Sequence, residues 1–157
     1  MRRISTYILY LACACVCWLV MACQLDTVYN HYEHTPLSGW ERNDTLTYHV
    51  GPILRDGQYR EEIGLRISGD YPFTGLNLVV EQRVFPTGDM RRDTLSCIVV
   101  DQQGNAKGRG VSHYQYLFHL TTLSLHKDDR LYIAIRHDMK REILPGFVDL
   151  GIKLVER

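Results

Sequence analysis

Apolar and polar residues alternate along most of the chain after residue 43, and this two-residue period is the strongest constraint on its fold. Such a period is typical of a β-strand with one face in a core and the other in water. It predicts seven strands, with an eighth if Thr27–Tyr32 also forms one. The alternating apolar residues are Leu46, Tyr48 and Val50; Ile63, Leu65 and Ile67; Leu76, Leu78, Val80 and Val84; Leu95, Cys97 and Val99; Tyr116, Phe118 and Leu120; Leu131, Ile133 and Ile135; and Val148, Leu150, Ile152 and Leu154.

Clusters of turn-forming residues separate these groups, including Gly51-Pro52, Pro86-Thr87-Gly88-Asp89 and Pro145-Gly146. Short strands between such turns are typical of a sandwich or a barrel. The segment Tyr114–Leu125 is almost continuously apolar and could be mistaken for a helix, but its Tyr, Phe and Thr content favours a strand. We therefore predict an all-β fold, namely a single β-sandwich of about seven or eight antiparallel strands, either jelly-roll or immunoglobulin-like.

The first 23 residues have the pattern of a bacterial lipoprotein signal peptide. Arg2 and Arg3 precede an apolar, uncharged run over 4–22 that ends at Ala22-Cys23. The arginines stay on the cytoplasmic side while the apolar run enters the membrane, and a small residue before the cysteine marks a cleavage site. A permanent transmembrane helix is the alternative, because the run approaches the roughly 20 residues that span hydrocarbon. Cys15, which follows Ala14, is a weaker competing cleavage site.

Cleavage at this site would leave Cys23 as a lipid-carrying N-terminus. Each buried methylene contributes roughly 0.8 kcal/mol, so two or three acyl chains hold a water-soluble domain at a bilayer. The expected organisation is a signal peptide over 1–22, a lipidated N-terminus and tether over 23–43, and a β-sandwich domain over 44–157. We expect an outer-membrane lipoprotein, since Gln24, and not aspartate, follows the cysteine. We expect it to face the periplasm, since Asp26 alone is a weak acidic signal for export to the cell surface.

Charge and cysteine content argue against several functions. The chain has 18 basic and 18 acidic residues, and loss of Arg2 and Arg3 with the signal leaves 16 basic residues and a net charge of −2. Acidic residues are interspersed among the basic ones, so no clustered basic footprint for nucleic acid is present. After cleavage only Cys97 remains beside Cys23. No disulfide is therefore expected, and the alternation places Cys97 in the core.

The sequence contains no local motif for catalysis. His31 with Glu33 and His34, and His137 with Asp138, have suggestive spacing, but a zinc site needs three or four converging ligands. No serine lies in a Gly-x-Ser-x-Gly elbow. The glycine-rich segment 104–110 lacks the Gly-Lys-Ser/Thr ending of a phosphate-binding loop, which favours a hairpin tip. We expect no enzymatic activity, no metal and no cofactor.

Aromatic residues offer another kind of site, because Tyr and Trp combine apolar area with a polar tip. Most of them are expected in the core. Trp40, beside Gly39, and Tyr71, beside Pro72, are the candidates for exposed contacts. A surface carbohydrate-binding module of the jelly-roll type is therefore an alternative function, and a hydrolase with dispersed catalytic residues is a third.

Six features follow one another along the chain: Cys23; Gly39-Trp40 with Asp44-Thr45; Asp70-Tyr71-Pro72-Phe73 with Leu76-Asn77-Leu78; Pro86-Thr87-Gly88 with Asp93-Thr94-Leu95; His137-Asp138-Met139-Lys140; and Gly146-Phe147-Val148-Asp149-Leu150-Gly151-Ile152-Lys153. In this order they resemble the gliding-motility lipoprotein GldH family of Bacteroidetes. The chain departs from that pattern at Asn105-Ala106-Lys107, where members often carry a tryptophan, and at Lys140, where arginine is usual.

The resemblance covers nearly the whole chain after the signal. It implies an all-β lipoprotein of the cell envelope that is associated with gliding motility and the linked type IX secretion machinery. The partners it implies are other envelope proteins of these systems, beside the lipid bilayer that holds acylated Cys23. It supplies no catalytic residue, which agrees with the absence of a catalytic motif.

Overall fold

The protein is built from ten strands and no helix in the part that a computed structural model describes, residues 27–157. The signal peptide, Cys23 and the alternative transmembrane helix over 4–22 lie outside these residues. Among residues 27–157 no helix is long and apolar enough to cross a membrane. The strands are β1 (Thr27–His34), β2 (Trp40–Glu41), β3 (Leu46–Val50), β4 (Gly57–Ser68), β5 (Gly75–Phe85), β6 (Met90–Ile98), β7 (His113–Leu125), β8 (Arg130–His137), β9 (Ile143–Leu144) and β10 (Phe147–Glu156).

All seven predicted strands form, and Thr27–Tyr32 lies within an eighth, β1. The two additional strands, β2 and β9, have two residues each and are too short to show a period. The segment Tyr114–Leu125 is a strand, as its composition predicts. Its pairing with β4 shifts between His119 and Thr121, so the inward-facing positions change from even to odd numbers, and Leu117 adds an apolar residue on the outer face.

Two four-stranded antiparallel sheets form the sandwich. Sheet I has the order β1-β10-β4-β7, and sheet II has the order β3-β8-β5-β6. Consecutive long strands switch sheets at every connection except the β5–β6 hairpin, and the first strand lies beside the last. This is a jelly-roll arrangement of eight strands, and it differs from the strand distribution of an immunoglobulin domain. A small ribbon of β2 and β9 lies outside both sheets.

The folded body includes residues that the sequence assigned to a tether. β1 pairs with β10 from Thr27 opposite Val155 to His34 opposite Asp149, and Trp40 in β2 pairs with Leu144 in β9. Segment 23–43 therefore contributes two strands to the fold. The partners of both strands lie near the other end of the chain, so nothing local to 23–43 reveals the pairing.

One apolar core fills the space between the sheets. Sheet I contributes fully buried side chains such as Ile63 and Ile152, and sheet II contributes Leu78 and Ile133. Burying each such side chain contributes about 1.5–3 kcal/mol, so these inward faces hold the sheets together. Cys97 is a free thiol in this core, as its place in the alternation predicts.

A carboxyl group interrupts the core. Glu61 is 0% exposed, projects from β4 between the sheets, and accepts a hydrogen bond from Gln82 Nε2 at 2.6 Å. Burial raises the pKa of Glu61 to about 7, and the Gln82 hydrogen bond opposes this with a smaller lowering. Within residues 27–157, the second oxygen of Glu61 and the amide oxygen of Gln82 have no hydrogen-bond partner. A charged Glu61 is therefore poorly accommodated at this position.

We expect Glu61→Gln to stabilise the protein at pH 8. The pKa of about 7 in the folded state exceeds the ordinary value of 4.5, so the folded state binds more protons between these two values. The contribution of Glu61 to the free energy of unfolding therefore falls as pH rises from about 4.5 to about 7. The neutral amide should add about 1–3 kcal/mol at pH 8 and little at pH 4.

Urea unfolding of both proteins at the two pH values measures this difference. Glu81→Gln, a change of the same chemistry at an exposed position of β5, is the matched control and should have little effect at either pH. An unchanged or lower stability of Glu61→Gln at pH 8 would contradict the expectation.

Candidate contact surface on the outer face of sheet I

The outer face of sheet I carries two glycines that are covered by one tyrosine. The strand register places Tyr32, Gly151, Gly64 and Leu117 side by side across β1, β10, β4 and β7. A Cβ atom at Gly151 would lie 2.6 Å from Tyr32 Cδ1, and one at Gly64 would lie 2.7 Å from Tyr32 Cζ. The missing side chains let the ring lie flat across the two central strands. We call Tyr32 with Gly64 and Gly151 the Tyr32 platform.

A buried carboxylate fixes one border of the Tyr32 platform. Asp149 is 3% exposed, and its two oxygens contact His34 Nδ1 and Arg66 Nη1, the latter at 3.3 Å. The Arg66 guanidinium also lies 4.4 Å from the centroid of the Tyr32 ring. Gln115 Nε2 donates to Tyr32 Oη at 3.4 Å. These contacts restrain both the ring and the guanidinium, so the surface is pre-organised for a partner.

A second buried carboxylate lies on the opposite border of the Tyr32 platform. Glu62 is 7% exposed, and its oxygens lie 3.1 Å from Arg60 Nε and 3.7 Å from Lys153 Nζ. Because side chains alternate between the two faces of a strand, Glu62 points outward while its neighbour Glu61 points into the core. Positively charged groups therefore lie above both buried carboxylates of this face.

An open cleft of about 880 Å³ lies where the Tyr32 platform meets the edge strand β7. The chain between β6 and β7 forms its other wall. Lys107 N donates to Val99 O at 3.0 Å, and Arg109 exchanges two backbone hydrogen bonds with Gln115, at 3.0 and 2.9 Å. This wall is the glycine-rich segment expected as a hairpin tip, and it folds back against β7. The cleft is lined by Asn30, Tyr32, Arg66, Ser96, Ile98, Lys107, Arg109, Gln115, Tyr116, Leu117, Phe118 and Lys153.

The lining combines positive charge with exposed apolar surface. It contains four basic side chains and no carboxylate. Arg66 and Lys153 are paired with the two buried carboxylates. Within residues 27–157, Lys107 and Arg109 form no ion pair closer than 4 Å, although hydrogen bonds, and also the charge of Lys107, lower the pKa of Asp101. Ile98 is 60% exposed and Leu117 is 51% exposed. Such a surface suits a partner that offers carboxylates beside apolar side chains.

The two histidine groups noted in the sequence do not assemble a metal site in the described part of the chain. His31 and Glu33 hydrogen-bond each other at 2.8 Å, while the alternation of β1 sends His34 to the other face. His137 is fully buried with its ring edge-on to Trp40, and burial lowers its pKa. No three His, Cys, Asp or Glu side chains converge within 27–157.

The expectation that Trp40 is exposed is wrong. Trp40 is 0% exposed, its ring centroid lies 5.0 Å from that of Phe147, and Nε1 donates to Asp44 O at 3.1 Å. The β2–β9 pairing draws it into the core. Tyr71 is half-buried and donates to Gly75 O at 3.0 Å. Neither side chain lines the cleft, and Cys23 lies outside the described residues.

Sequence reasoning missed the Tyr32 platform, although one sign of it was available. An isolated glycine within a strand often marks a place where another group approaches the backbone closely. Gly64 and Gly151 interrupt two strongly alternating segments in this way. Their common neighbour Tyr32 follows only from the pairing of β1 with β10, which the sequence does not reveal.

Comparisons with known proteins show what this chain is similar to. A family model described as "GldH lipoprotein" matches residues 27–154, which is nearly all of the sandwich. The gliding motility lipoprotein GldH homolog of Christiangramia forsetii is 22% identical over 145 residues, and the match covers 87% of this chain and 88% of the relative. A crystal structure of a protein from Sulfurospirillum deleyianum is 10% identical with a TM-score of 0.42, covering 82% of this chain and 98% of that one.

We expect Gly151→Ala to lower the free energy of unfolding by about 1–3 kcal/mol, because the added methyl group collides with the Tyr32 ring. The cost should shrink when the ring is also removed by Tyr32→Ala, and urea unfolding of both single variants and the double variant measures the difference. Gly57→Ala in β4 is the control, since its new Cβ would lie 3.6 Å from the nearest atom. An equal cost with and without the ring would contradict the role of the platform.

Proposed function

This chain belongs to the GldH lipoprotein family, and on that premise we propose that it supports gliding motility and type IX secretion through contacts with other envelope proteins. The family relation identifies an envelope-associated lipoprotein related to gliding motility. The match over residues 27–154 is the single observation that carries the proposal. The proposed role is non-enzymatic: the protein provides a binding surface that is held at the membrane.

Acylated Cys23 is the proposed anchor. A small residue precedes this cysteine, which ends an apolar run that starts after two arginines. The sandwich begins at Thr27, four residues later, so the anchor would hold the folded body close to the bilayer. We propose an outer-membrane location because Gln24 is not an inner-membrane retention residue, and a periplasm-facing orientation because Asp26 alone is a weak signal for export to the cell surface.

The cleft beside the Tyr32 platform is the proposed contact surface. It offers the basic side chains of Lys107 and Arg109, which form no ion pair closer than 4 Å within 27–157, next to exposed Ile98 and Leu117. Charged rims govern the rate and specificity of association, and apolar groups at the centre supply the affinity. The proposed partner is therefore an envelope protein with an acidic and apolar segment.

The carbohydrate-binding alternative loses its main support in the structure. It depended on Trp40 as an exposed stacking residue, and Trp40 is fully buried. Tyr71 is half-buried, and its hydroxyl is engaged with Gly75 O. We therefore do not carry this alternative further.

Deletion of the gene from its host should impair gliding and the secretion of type IX cargo. Movement of single cells on a surface and the amount of cargo in the medium are the two readouts. Restoration by the natural gene on a plasmid is the control for the deletion itself. Unchanged behaviour in a host that is competent in both processes would contradict the proposal.

The same strain tests the contact surface. We expect the double variant Lys107→Glu with Arg109→Glu to restore neither process, because the reversed charges repel an acidic partner. The matched control is Lys140→Glu with Arg141→Glu, two exposed basic residues outside the cleft that carry the same change of charge. Full restoration by the cleft variant, at a normal protein level, would show that the cleft is not the contact surface.

A further inference from the structure

The end of the sandwich at which β1 begins is the end nearest the proposed anchor. Three residues separate Cys23 from Thr27, and the four steps between them span at most about 14 Å even when fully extended. This distance is shorter than the long strands of the sandwich, so the opposite end of the sandwich cannot lie as close to the anchored cysteine. The inference that follows rests on the proposed acylation of Cys23. We call this end of the sandwich the anchor-proximal end.

Shared surface depressions and strand register show which other segments lie at the anchor-proximal end. Thr27 and Leu54 line one surface depression together with His49, and His49 lines the next depression with Phe85 and Tyr132. The β3–β4 connection, the β5–β6 hairpin and the start of β8 therefore share this end with Thr27. The pairing of Phe85 with Arg130 places the β5–β6 hairpin beside the start of β8.

Four large apolar side chains on these segments are exposed to water. Leu54 is 73% exposed, Met90 is 68% exposed, Phe85 is 42% exposed and Tyr132 is 38% exposed. Phe85, Met90 and Tyr132 line a common groove on the outer face of sheet II. We call these four residues the apolar rim. Large apolar groups left in water at one place on a domain mark an interaction surface.

Arginine side chains lie among the residues of the apolar rim. The Arg83 guanidinium is 5.9 Å from the Phe85 ring centroid, and its Nη2 contacts Met90 Sδ at 3.0 Å. Arg130 lies opposite Phe85 in the sheet. Long basic side chains at a membrane surface cover apolar area with their stems and keep the charge in water, and tyrosine is enriched at the same level.

Acidic residues at the anchor-proximal end limit the electrostatic contribution to contact with a lipid surface. Asp56 and Asp129 accept backbone N–H groups of Lys127 and His126 at 2.7 and 2.8 Å, and Asp89 and Asp128 lie in the turns of the same end. Four basic residues of the same segments, Arg55, Arg83, Lys127 and Arg130, nearly balance these four aspartates. Burial of apolar area, at roughly 25 cal/mol per Å², is the dominant favourable contribution to contact with a lipid surface.

We propose that the apolar rim is a second, non-covalent membrane contact, and that the lipid bilayer holding the acyl chains is its occupant. The bilayer is favoured over a protein because the short Cys23–Thr27 segment brings this end to the lipid surface, whatever else binds. The contact fixes the orientation of the sandwich. It leaves the cleft in water, since Arg66 and Gln115 lie toward the opposite ends of β4 and β7.

Site-specific fluorescence on the full acylated protein tests the proposal. Leu54→Cys and Met90→Cys carry a nitrobenzoxadiazole label, and Leu37→Cys and Val111→Cys at the opposite end, 108% and 92% exposed, are the matched controls. Labelling is selective because Cys97 is buried. Each protein is reconstituted into vesicles of phosphatidylethanolamine and phosphatidylglycerol, with and without lipids that carry a spin-label quencher.

We expect labels at 54 and 90 to shift their emission to the blue and lose intensity with the quencher, while labels at 37 and 111 keep the emission of an aqueous label. The shift should persist at high salt, because apolar contact dominates. Flotation of the vesicles separates two kinds of failure. If the protein does not float with the vesicles, both the proposed anchor and this proposal are contradicted. Protein that floats while 54 and 90 stay in water would overturn this proposal alone, and would leave a protein as the cover of the rim.

Discussion

The burial of two alternating apolar faces against each other is the constraint on which the rest of this structure depends. Residues such as Ile63 and Ile152 from sheet I and Leu78 and Ile133 from sheet II fill the space between the sheets. A hydrogen bond from Tyr48 Oη in β3 to Leu150 O in β10, at 2.8 Å, ties the two sheets at one side. Because the inward positions are occupied by this core, every surface available for function lies on an outer face, an edge or an end.

The sequence predicted the features that depend on local periodicity. It did not predict the features that depend on pairing between strands far apart in the chain. The eight long strands and the buried Cys97 follow from alternation, and the choice of the jelly-roll arrangement needed the strand order. Trp40 was predicted to be exposed because it lies beside Gly39 in the segment assigned to the tether, whereas its burial depends on pairing with Leu144. Tyr32 stood out in no motif, since its glycine neighbours come from two other strands. Glu61 follows the inward alternation of its strand, but its hydrogen bond to Gln82 needs the two sheets to be stacked.

The two proposed contact surfaces lie at different places on the sandwich, and together they define an orientation of the protein between the membrane and its partner. The apolar rim lies where β1 begins, close to the residue proposed to carry acyl chains, and its exposed side chains suit a lipid surface. The cleft lies toward the other end of β4 and β7, with basic groups and two exposed apolar side chains. In the proposed role, the anchored body presents one surface to the membrane and another to a partner, a task that a rigid body can perform without a catalytic group. The restrained Tyr32 ring and the two buried carboxylates of the outer face supply that rigidity locally.

The anchor is the central claim, because both the place of the protein and its orientation depend on acyl chains at residue 23. Intact-mass spectrometry of the protein purified from the membranes of its own host tests it most directly. The account predicts a chain that begins at Cys23, lacks residues 1–22 and carries the added mass of two or three acyl chains. A chain that retains residues 1–22 and has an unmodified thiol at Cys23 would contradict it.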